Sequence, residues 1–296
     1  MRSHLNCAIC IIDDLCGALQ LIPLEETTKQ EILKESFRFL SQEFSTEKIP
    51  SYFITEVHRI LKRISGIEIP FKERRNKCNQ LGIEMAEKIA LEADGLEEFD
   101  RFSFLVSWAI ASNHLDFRTV GTGYGFQMAE IIKELRGCVS EGLRIDRRAE
   151  IFRIAKSSSK ILYIHDNVGE ISFDKLLIHE LRRYGSSVTS VLRGGPITSD
   201  ATIKDGETVG LQEAASKIIL AGPDTLGISL NEMSDQLKRE LQTADLVIAK
   251  GQANYYALTE YRSEVPGEIA CLFRTKCEIV SNELGEIGKI NVAILL

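Results

Sequence analysis

The segment Ile161-Leu-Tyr-Ile-His-Asp-Asn167 places four apolar residues directly before three polar ones. A short apolar run of this kind is typical of a strand that is buried on both faces. Residues 173–184 then have the pattern of a helix, and Ser187-Val-Thr-Ser-Val-Leu192 is again rich in β-forming residues. A strand, a helix and a second strand in this order predict a βαβ unit of a parallel sheet.

The same alternation continues to the C-terminus. Four more β-rich runs follow at residues 218–220, 246–249, 269–273 and 290–295, with a helical stretch at 233–241. Nearly continuous apolar strands separated by helices are typical of a parallel sheet that helices cover on both faces. We therefore predict a Rossmann-like, mostly parallel α/β/α sheet domain over residues 151–296.

The N-terminal half carries helical patterns instead. Thr28-Lys-Gln-Glu31 has the sequence of a capping box, and Gly66 is placed to end a later helix. Apolar residues recur near helical spacing over 32–44, 53–64, 76–93, 102–112 and 125–135. The glycine-rich residues 121–125 are expected to be a loop between helices. These patterns predict an all-helical subdomain over residues 1–150 and an α/β fold class for the chain.

Composition excludes several classes of protein. The chain has 296 residues, of which 44% are hydrophobic and 27% charged, so it has enough apolar residues to bury a core. Its 36 basic and 43 acidic residues give a net charge of −7, which argues against a general nucleic-acid or anionic-membrane binder. No apolar run approaches the ~20 residues of a membrane span. The first residues lack signal-peptide features, so we expect a cytoplasmic protein without nucleic-acid or membrane partners and leave its oligomeric state open.

Polar residues follow four of the predicted strands. In an open α/β sheet, ligands bind beyond the carboxyl ends of the strands. The four segments are His165-Asp-Asn-Val-Gly-Glu170, 193–205, Lys250-Gly-Gln-Ala-Asn254 and Arg274-Thr-Lys-Cys277. Carboxylate and amide oxygens bind hard cations, and lysine ammonium groups neutralise phosphoryl oxygens. Together, the segments indicate an oxygen-ligand cation site beside a phosphate site.

Each segment alone also has a structural explanation. An Asp-Asn pair after a strand is a common turn, and Lys250-Gly251 fits an exposed turn. Lys276 fits a solvated strand end, and for Asp205 we favour a helix cap over a role in the site. The occurrence of the required chemistry at four strand ends favours function. The chain has no G-x-x-x-x-G-K-[ST] loop, and no G-x-G-x-x-G follows the first strand, which weakens nucleotide binding.

The seven cysteines, in a chain without a signal peptide, do not indicate a secreted disulfide scaffold. Cys7-Ala-Ile-Cys10 is a single C-x-x-C pair, whereas structural zinc sites usually have four ligands. One interpretation is a second metal site that a distant residue such as His4 or Cys78 completes. The other, which we favour, is a pair of reduced thiols, one of them packed, at the start of a helix.

Four segments occur in an order known from one family. They are Ala111-Ser-Asn113-His-Leu-Asp116-Phe117, Asp166-Asn167-Val-Gly-Glu170-Ile-Ser-Phe-Asp174-Lys-Leu-Leu-Ile178, Pro196-Ile-Thr-Ser-Asp200-Ala-Thr-Ile-Lys-Asp205 and 244–255. They strongly resemble the motifs of the metal-dependent damage-control phosphatases, a family formerly called a domain of unknown function. The Cys7-x-x-Cys10 pair and Lys276-Cys277 resemble its archaeal, stand-alone branch. The resemblance covers almost the whole chain and implies a helical subdomain packed on an α/β domain, with the site between them.

The resemblance also implies roles for individual residues. The family's metal ligands correspond to Asp166, Asn167 and Asp200, and its phosphate-holding lysine corresponds to Lys250. Substrate-binding positions are implied at Asn113, Asp116, Glu170, Lys250, Asn254 and Lys276. The chain departs from the family at two positions, where Ser199 and Ala253 replace a frequent Asn and a common Gly.

We therefore predict a divalent-metal-dependent phosphatase that hydrolyses small phosphorylated metabolites, either sugar phosphates or damaged phosphometabolites. Asp166, Asn167, Asp200 and Lys250 form the predicted catalytic set, with Mn, Ni, Co or Mg as the metal. Two alternatives stay open. A Rossmann-like sheet also accommodates an S-adenosylmethionine-dependent carboxyl methyltransferase, and a non-catalytic protein would bind metal and phosphate without turnover.

Overall fold

The computed structural model describes residues 1–117 and 128–296, which form thirteen α-helices, two short 3₁₀ helices and one seven-stranded sheet. The strands are β1 (Ile145–Asp146), β2 (Lys160–Ile164), β3 (Ser187–Leu192), β4 (Lys217–Leu220), β5 (Leu246–Lys250), β6 (Glu268–Arg274) and β7 (Asn291–Leu295). The α-helices are α1 (Cys7–Leu21), α2 (Glu26–Glu43), α3 (Pro50–Ser65), α4 (Lys72–Ala93), α5 (Glu98–Ala111), α6 (Met128–Glu141), α7 (Arg148–Ser157), α8 (Ile171–Arg183), α9 (Ile203–Val209), α10 (Leu211–Ala214), α11 (Asp235–Thr243), α12 (Gln252–Tyr261) and α13 (Glu278–Glu283). The 3₁₀ helices are Ser112–Leu115 and Arg262–Glu264.

The sheet has the order β1-β7-β6-β5-β2-β3-β4, and all neighbouring strands are parallel except β6 and β7. The predicted α/β class with a mostly parallel sheet is confirmed. The predicted βαβ unit is β2, α8 and β3, with Ile161 opposite Val188. β7 is antiparallel to β6 because the connection through α13 stays at the end of the sheet where β6 finishes, so that β7 starts there and runs back.

The central strands are buried on both faces, as their continuous apolar sequences predict. Alternate residues of β2 face two different cores, one formed with α5, α7 and α8 and the other with α11 and α12. Helices α1, α2 and α3 pack around a separate core that includes Val168. Because Val168 comes shortly after the end of β2, the helical layer contacts the sheet at the edge where the site is predicted.

The topology fixes this edge of the sheet. From β2 the chain crosses to β3 on one side, and from β5 it crosses to β6 on the other side. β2 and β5 are themselves neighbours, so their carboxyl ends flank a topological switch point, where ligands bind in open α/β sheets. Asp166 and Gly251 follow the ends of these two strands.

Some helix ends differ from the sequence predictions. α2 begins at Glu26 after the cap residue Glu25, so the capping box predicted at Thr28 is wrong. The acidic side chains here precede Thr28 and favour an earlier helix start, because negative charge stabilises a helix N-terminus. α3 ends at Gly66, which has a φ of 69°, as predicted.

Two other regions differ in how far their sequence predicts them. The helix expected from residue 125 is present at Met128–Glu141, and the loop expected at 121–125 lies outside the described residues. β1 has only two residues, and its pairing with β7 defines it, so the sequence pattern gives no sign of it.

The domain boundary at residue 150 stays a prediction. In the described part of the chain, no helix is both long and apolar enough to cross a membrane.

Candidate functional site

The backbone brings the segments after β2 and β3 together. Val168 N donates to Ser199 O at 2.8 Å, and Ala201 N donates to Asp166 O at 2.8 Å. These bonds place Asn167 directly opposite Asp200 in a short antiparallel bridge. Asn167 and Asp200, two of the predicted metal ligands, thus lie side by side although they come from different segments of the chain.

Asp166 is buried among amide groups and further carboxylates. Asn167 Nδ2 and Asn113 Nδ2 donate to Asp166 Oδ2 at 2.8 and 3.2 Å. Asn113 Nδ2 also donates to Glu170 Oε2 at 2.8 Å, so the helical half of the chain contacts the segment after β2. Burial and repulsion from Glu170 raise the pKa of Asp166 well above its ordinary value. A positive charge placed here would therefore be stabilised by the carboxylates around it.

Asp200 is completely buried and held at both carboxylate oxygens. Arg193 Nε and Gly227 N donate to its Oδ1, each at 2.9 Å, and Thr198 Oγ1 donates to its Oδ2 at 3.0 Å. Arg193 is also fully buried, and its Nη1 has no hydrogen-bond partner in the described residues. Arg193 compensates the charge of Asp200, and these three donors fix the orientation of the carboxylate.

Lys250 lies beneath the site in a buried ion-pair network. Its Nζ bonds the Glu170 carboxylate and lies 3.0 Å from Asp174 Oδ1. His165 Nδ1 and the Tyr163 hydroxyl each lie 2.8 Å from an oxygen of Asp174. Although burial opposes its charge, Asp174 and Glu170 raise the pKa of Lys250 above its ordinary value. Lys250 is therefore a charged residue that holds two carboxylates below the cavity.

A second lysine faces the site from the end of β6. Lys276 Nζ bonds Asp116 Oδ2 at 2.5 Å, and the Lys276 side chain is 28% exposed. Ser199 Oγ lies 2.7 Å from Asp116 Oδ1 and 2.8 Å from Asn167 Oδ1, and its single proton serves one of them at a time. Burial opposes the charge of Lys276, but Asp116 and Asp166 raise its pKa overall.

Asn254 has a different environment from the other predicted substrate-binding residues. Its Nδ2 donates to His165 O and Lys250 O, and its Oδ1 accepts from Ile228 N at 2.9 Å. The side chain is fully buried, and each of its polar atoms bonds the protein. Asn254 thus holds the backbone ends of β2 and β5 together behind the site.

A cavity of about 160 Å³ opens over these residues. Asp116, Asp166, Asn167 and Lys276 line it, whereas the buried Asp200, Glu170, Lys250 and Asn254 are not among its lining residues in the described part of the chain. Cys7, Cys10 and Cys277 also line the cavity, all three as free thiols. α1 begins at Cys7, which is buried while Cys10 is partly exposed, as the interpretation of packed thiols predicts. The second metal site at Cys7 and Cys10 stays a prediction.

The donors at the site fit a hard divalent cation. Asn113 Oδ1 is buried without a partner in the described residues, next to the carboxylate of Asp166. Carboxylate and amide oxygens are the donors that Mg²⁺ and Mn²⁺ prefer. In residues 1–117 and 128–296, no three His, Cys, Asp or Glu side chains form a ready ligand set. The predicted metal ligands Asp166, Asn167 and Asp200 stay a prediction.

The supporting residues Arg193, His165, Asp174 and Tyr163 were not assigned roles from the sequence. Arg193 and His165 directly follow strands, so their position was a usable signal. Tyr163 carries no such signal, since a tyrosine inside an apolar strand fits a core residue equally well, whereas Asp174 lies within the motif segment 166–178. Asp205 caps α9 together with Thr202, as predicted, and also pairs with Arg75 at 2.5 Å.

Comparison with known proteins gives consistent results over nearly the full length of the chain. The model of the damage-control phosphatase ARMT1-like domain matches residues 3–290. An uncharacterized protein of Methanocaldococcus jannaschii is 33% identical over 95% of this chain and 91% of its own. A protein of Archaeoglobus fulgidus named damage-control phosphatase is 31% identical over 94% of both chains.

Structural comparison agrees with the sequence comparison. The crystal structure of a DUF89 family protein from Pyrococcus horikoshii superposes with a TM-score of 0.87 at 27% identity, and 99% of each chain is covered. In the sequence comparison the same Pyrococcus horikoshii protein, named damage-control phosphatase, is 29% identical over 96% of this chain. The matched region contains the segments after β2, β3 and β5 that form the site. The chain therefore belongs to the family of the damage-control phosphatase ARMT1-like domain.

Proposed function

We propose that this protein is a divalent-metal-dependent phosphatase that acts on small phosphorylated metabolites. The observation that carries the proposal is the pairing of a carboxylate and amide cluster with a lysine in one cavity at the switch point of the sheet. The matching family model and two relatives named damage-control phosphatase support the same reaction class.

In this proposal, Asp166, Asn167 and Asp200 hold the metal, which can be Mn, Ni, Co or Mg. When bound, the metal would supply Lewis-acid chemistry, polarising a phosphoryl oxygen and lowering the pKa of a water molecule. Gly227 N and Arg193 keep the Asp200 carboxylate oriented before any ligand arrives. Little of the metal-binding free energy is therefore lost in reorienting the Asp200 carboxylate.

The two lysines are proposed to have separate roles. Lys276 lines the cavity and is partly exposed, so its ammonium group can leave Asp116 and bond a phosphoryl oxygen. Lys250 lies between Glu170 and Asp174, where its positive charge offsets these two carboxylates below the phosphoryl group without being exposed. The carboxylate of Asp116 then accepts a proton or orients a water molecule beside the substrate.

Hydrolysis of an aryl phosphate by chelator-treated protein tests the proposal. We expect turnover with at least one of the four metals, and none with Asp166→Ala. Asp235→Ala is the matched control, because the Asp235 side chain is 83% exposed and lies on α11. Inactivity with every metal, or full metal-dependent activity of Asp166→Ala, would contradict the proposal.

Neither alternative gains support from the site. A carboxyl methyltransferase would bind S-adenosylmethionine, and calorimetry with that compound would detect it. A non-catalytic binding protein would bind metal and phosphate without turnover in the aryl phosphate assay. The relatives with assigned names are named phosphatases, so neither alternative is favoured.

A further inference from the structure

The cavity over the site has two chemically different walls. Its floor carries the charged and amide groups of Asp116, Asp166, Asn167 and Lys276. The second wall comes from α1, α3, α12, α13 and the segment before α11, and consists mainly of carbon and sulfur. Its apolar members include Ile11, Ile54, Leu226 and Ile279, together with the thiols of Cys10 and Cys277.

The polar groups on the second wall are already bonded within the protein. Gln252 Nε2 bonds the Tyr256 hydroxyl, and Gln252 Oε1 accepts from Lys276 N at 2.7 Å. Asp14 Oδ2 lies 2.7 Å from His58 Nε2. A sugar hydroxyl that enters this part of the cavity would exchange its water partners for carbon and sulfur, which is unfavourable. A methylene or aromatic group would gain from leaving water.

The size of the cavity limits the substrate further. Its volume of about 160 Å³ is close to that of a cavity of roughly 150 Å³ that holds one benzene molecule. The described walls therefore favour a small substrate.

We propose that the alcohol part of the substrate is compact and mainly apolar, so that the preferred esters are alkyl or aryl phosphates rather than phosphorylated polyols. This inference rests on the proposed phosphatase function. The charged floor binds the phosphoryl group, and the wall with Ile54, Leu226 and Ile279 selects the group that is released.

Cyclohexyl phosphate and inositol 1-phosphate make a matched pair of probes. Both are esters of a secondary alcohol on a six-membered carbon ring, and they differ in the hydroxyl groups on that ring. We expect kcat/KM to be at least ~10-fold higher for cyclohexyl phosphate, since each unpaired polar group costs a factor of this size.

Leu226→Gln tests whether the wall causes this preference. The new amide offers hydrogen bonds at nearly unchanged volume, so the ratio of the two kcat/KM values should fall at least about fivefold. Leu230→Gln is the control, because Leu230 is also partly buried but packs against the core of α11 and α12. Its ratio should match that of the unchanged protein.

The outcomes separate the two proposals. If phenyl phosphate is hydrolysed but inositol 1-phosphate is turned over as well as cyclohexyl phosphate or better, the inference is wrong and the phosphatase function stands. An unchanged ratio in Leu226→Gln would likewise contradict the selective wall. If no ester is hydrolysed with any of the four metals, the phosphatase function fails, and the inference with it.

Discussion

Gly251 lies directly against the carboxylate of Asp166, so that a β-carbon at position 251 would be 1.9 Å from Asp166 Oδ2 and 2.1 Å from its Cγ. The φ of Gly251 is 78°, a conformation that other residues rarely adopt. The glycine after β5 thus leaves the space in which the Asp166 side chain points toward the cavity. This contact gives a physical reason for the Lys-Gly sequence at the end of this strand.

Gly251→Ala should abolish most of the activity. The new methyl group must displace the Asp166 carboxylate, and a shift of about 1 Å in a reacting group can cost ~100-fold in rate. We expect at least this loss in kcat for an aryl phosphate, with weaker metal binding by calorimetry. Gly66→Ala is the control, since Gly66 has a φ of 69° and open space around its Cα. Equal activity of the two variants would contradict the positioning role of Gly251.

Lys250→Met should destabilise the protein strongly. The change leaves Glu170 and Asp174 buried without their shared cation, and breaking a buried ion pair costs about 3–5 kcal/mol. Urea unfolding monitored by circular dichroism measures this loss. An exposed ion pair contributes at most about 1 kcal/mol. If the free energy of unfolding of Lys250→Met differs from that of the unchanged protein by no more than this, the network contributes little.

Lys276→Met should mainly affect substrate binding. Lys276 is partly exposed and pairs with one carboxylate, so we expect a loss of only about 1–2 kcal/mol in stability. In contrast, KM for an aryl phosphate should rise, because the cavity loses its exposed ammonium group. If KM and kcat are unchanged, Lys276 does not contact the phosphoryl group.

The Arg75–Asp205 pair predicts a pH-dependent contribution to stability. Burial alone would raise the pKa of Asp205, but Arg75 and the hydrogen bonds from Thr202 and Asn79 lower it overall. A carboxyl whose pKa is lowered by folding stabilises the protein above its unfolded pKa of about 3.9, and the effect is lost as pH falls through the folded value. Asp205→Asn should therefore cost about 3 kcal/mol at pH 7 and less below about pH 4.

Urea unfolding of Asp205→Asn and of the unchanged protein between pH 7 and pH 3 tests the predicted direction of this pH dependence. Asp235→Asn, whose side chain is 83% exposed, should change stability by less than about 0.5 kcal/mol at every pH. A difference between Asp205→Asn and the unchanged protein that grows toward low pH would contradict the prediction.

Alkylation of the cavity thiols should inhibit the proposed phosphatase activity. Cys10 and Cys277 are partly exposed and line the same cavity as Asp166. An added carboxamidomethyl group would occupy part of a cavity of about 160 Å³. Burial and the neighbouring thiols raise the pKa of Cys10, so the rate of its alkylation should still increase with pH where an ordinary thiol is already ionised.

The double variant Cys10→Ser with Cys277→Ser provides the control for this experiment. It should keep most of its activity and become insensitive to iodoacetamide. Mass spectrometry identifies which thiols react in the unchanged protein. Full activity after both thiols are alkylated would show that this wall does not contact the substrate.

The sequence predicted the features that depend on local pattern. Apolar runs predicted strands β2 to β7. The polar residues that follow four of these strands predicted the edge of the sheet where the candidate site lies. Features that depend on long-range contacts could not be predicted in this way. The sequence does not reveal that Lys250 is buried between Glu170 and Asp174, because a lysine after a strand fits an exposed end equally well.

Arg193 illustrates the same limit. Its position after β3 was visible, but its pairing with Asp200 depends on how the 193–205 segment folds back across the end of β2. The two-residue β1 depends in a similar way on β7, which follows it by more than 140 residues. Local sequence patterns contain no information about such partners.

The most direct test of a metal site at Asp166, Asn167 and Asp200 is the amount of Mn²⁺ that chelator-treated protein binds at equilibrium. We predict one ion per chain for the unchanged protein and for Asp235→Ala, and none for Asp166→Ala. Because this measurement needs no substrate, it is independent of the choice of phosphate ester. Unchanged Mn²⁺ binding in a folded Asp166→Ala protein, or no binding by the unchanged protein with any of Mn, Ni, Co and Mg, would contradict the proposed site.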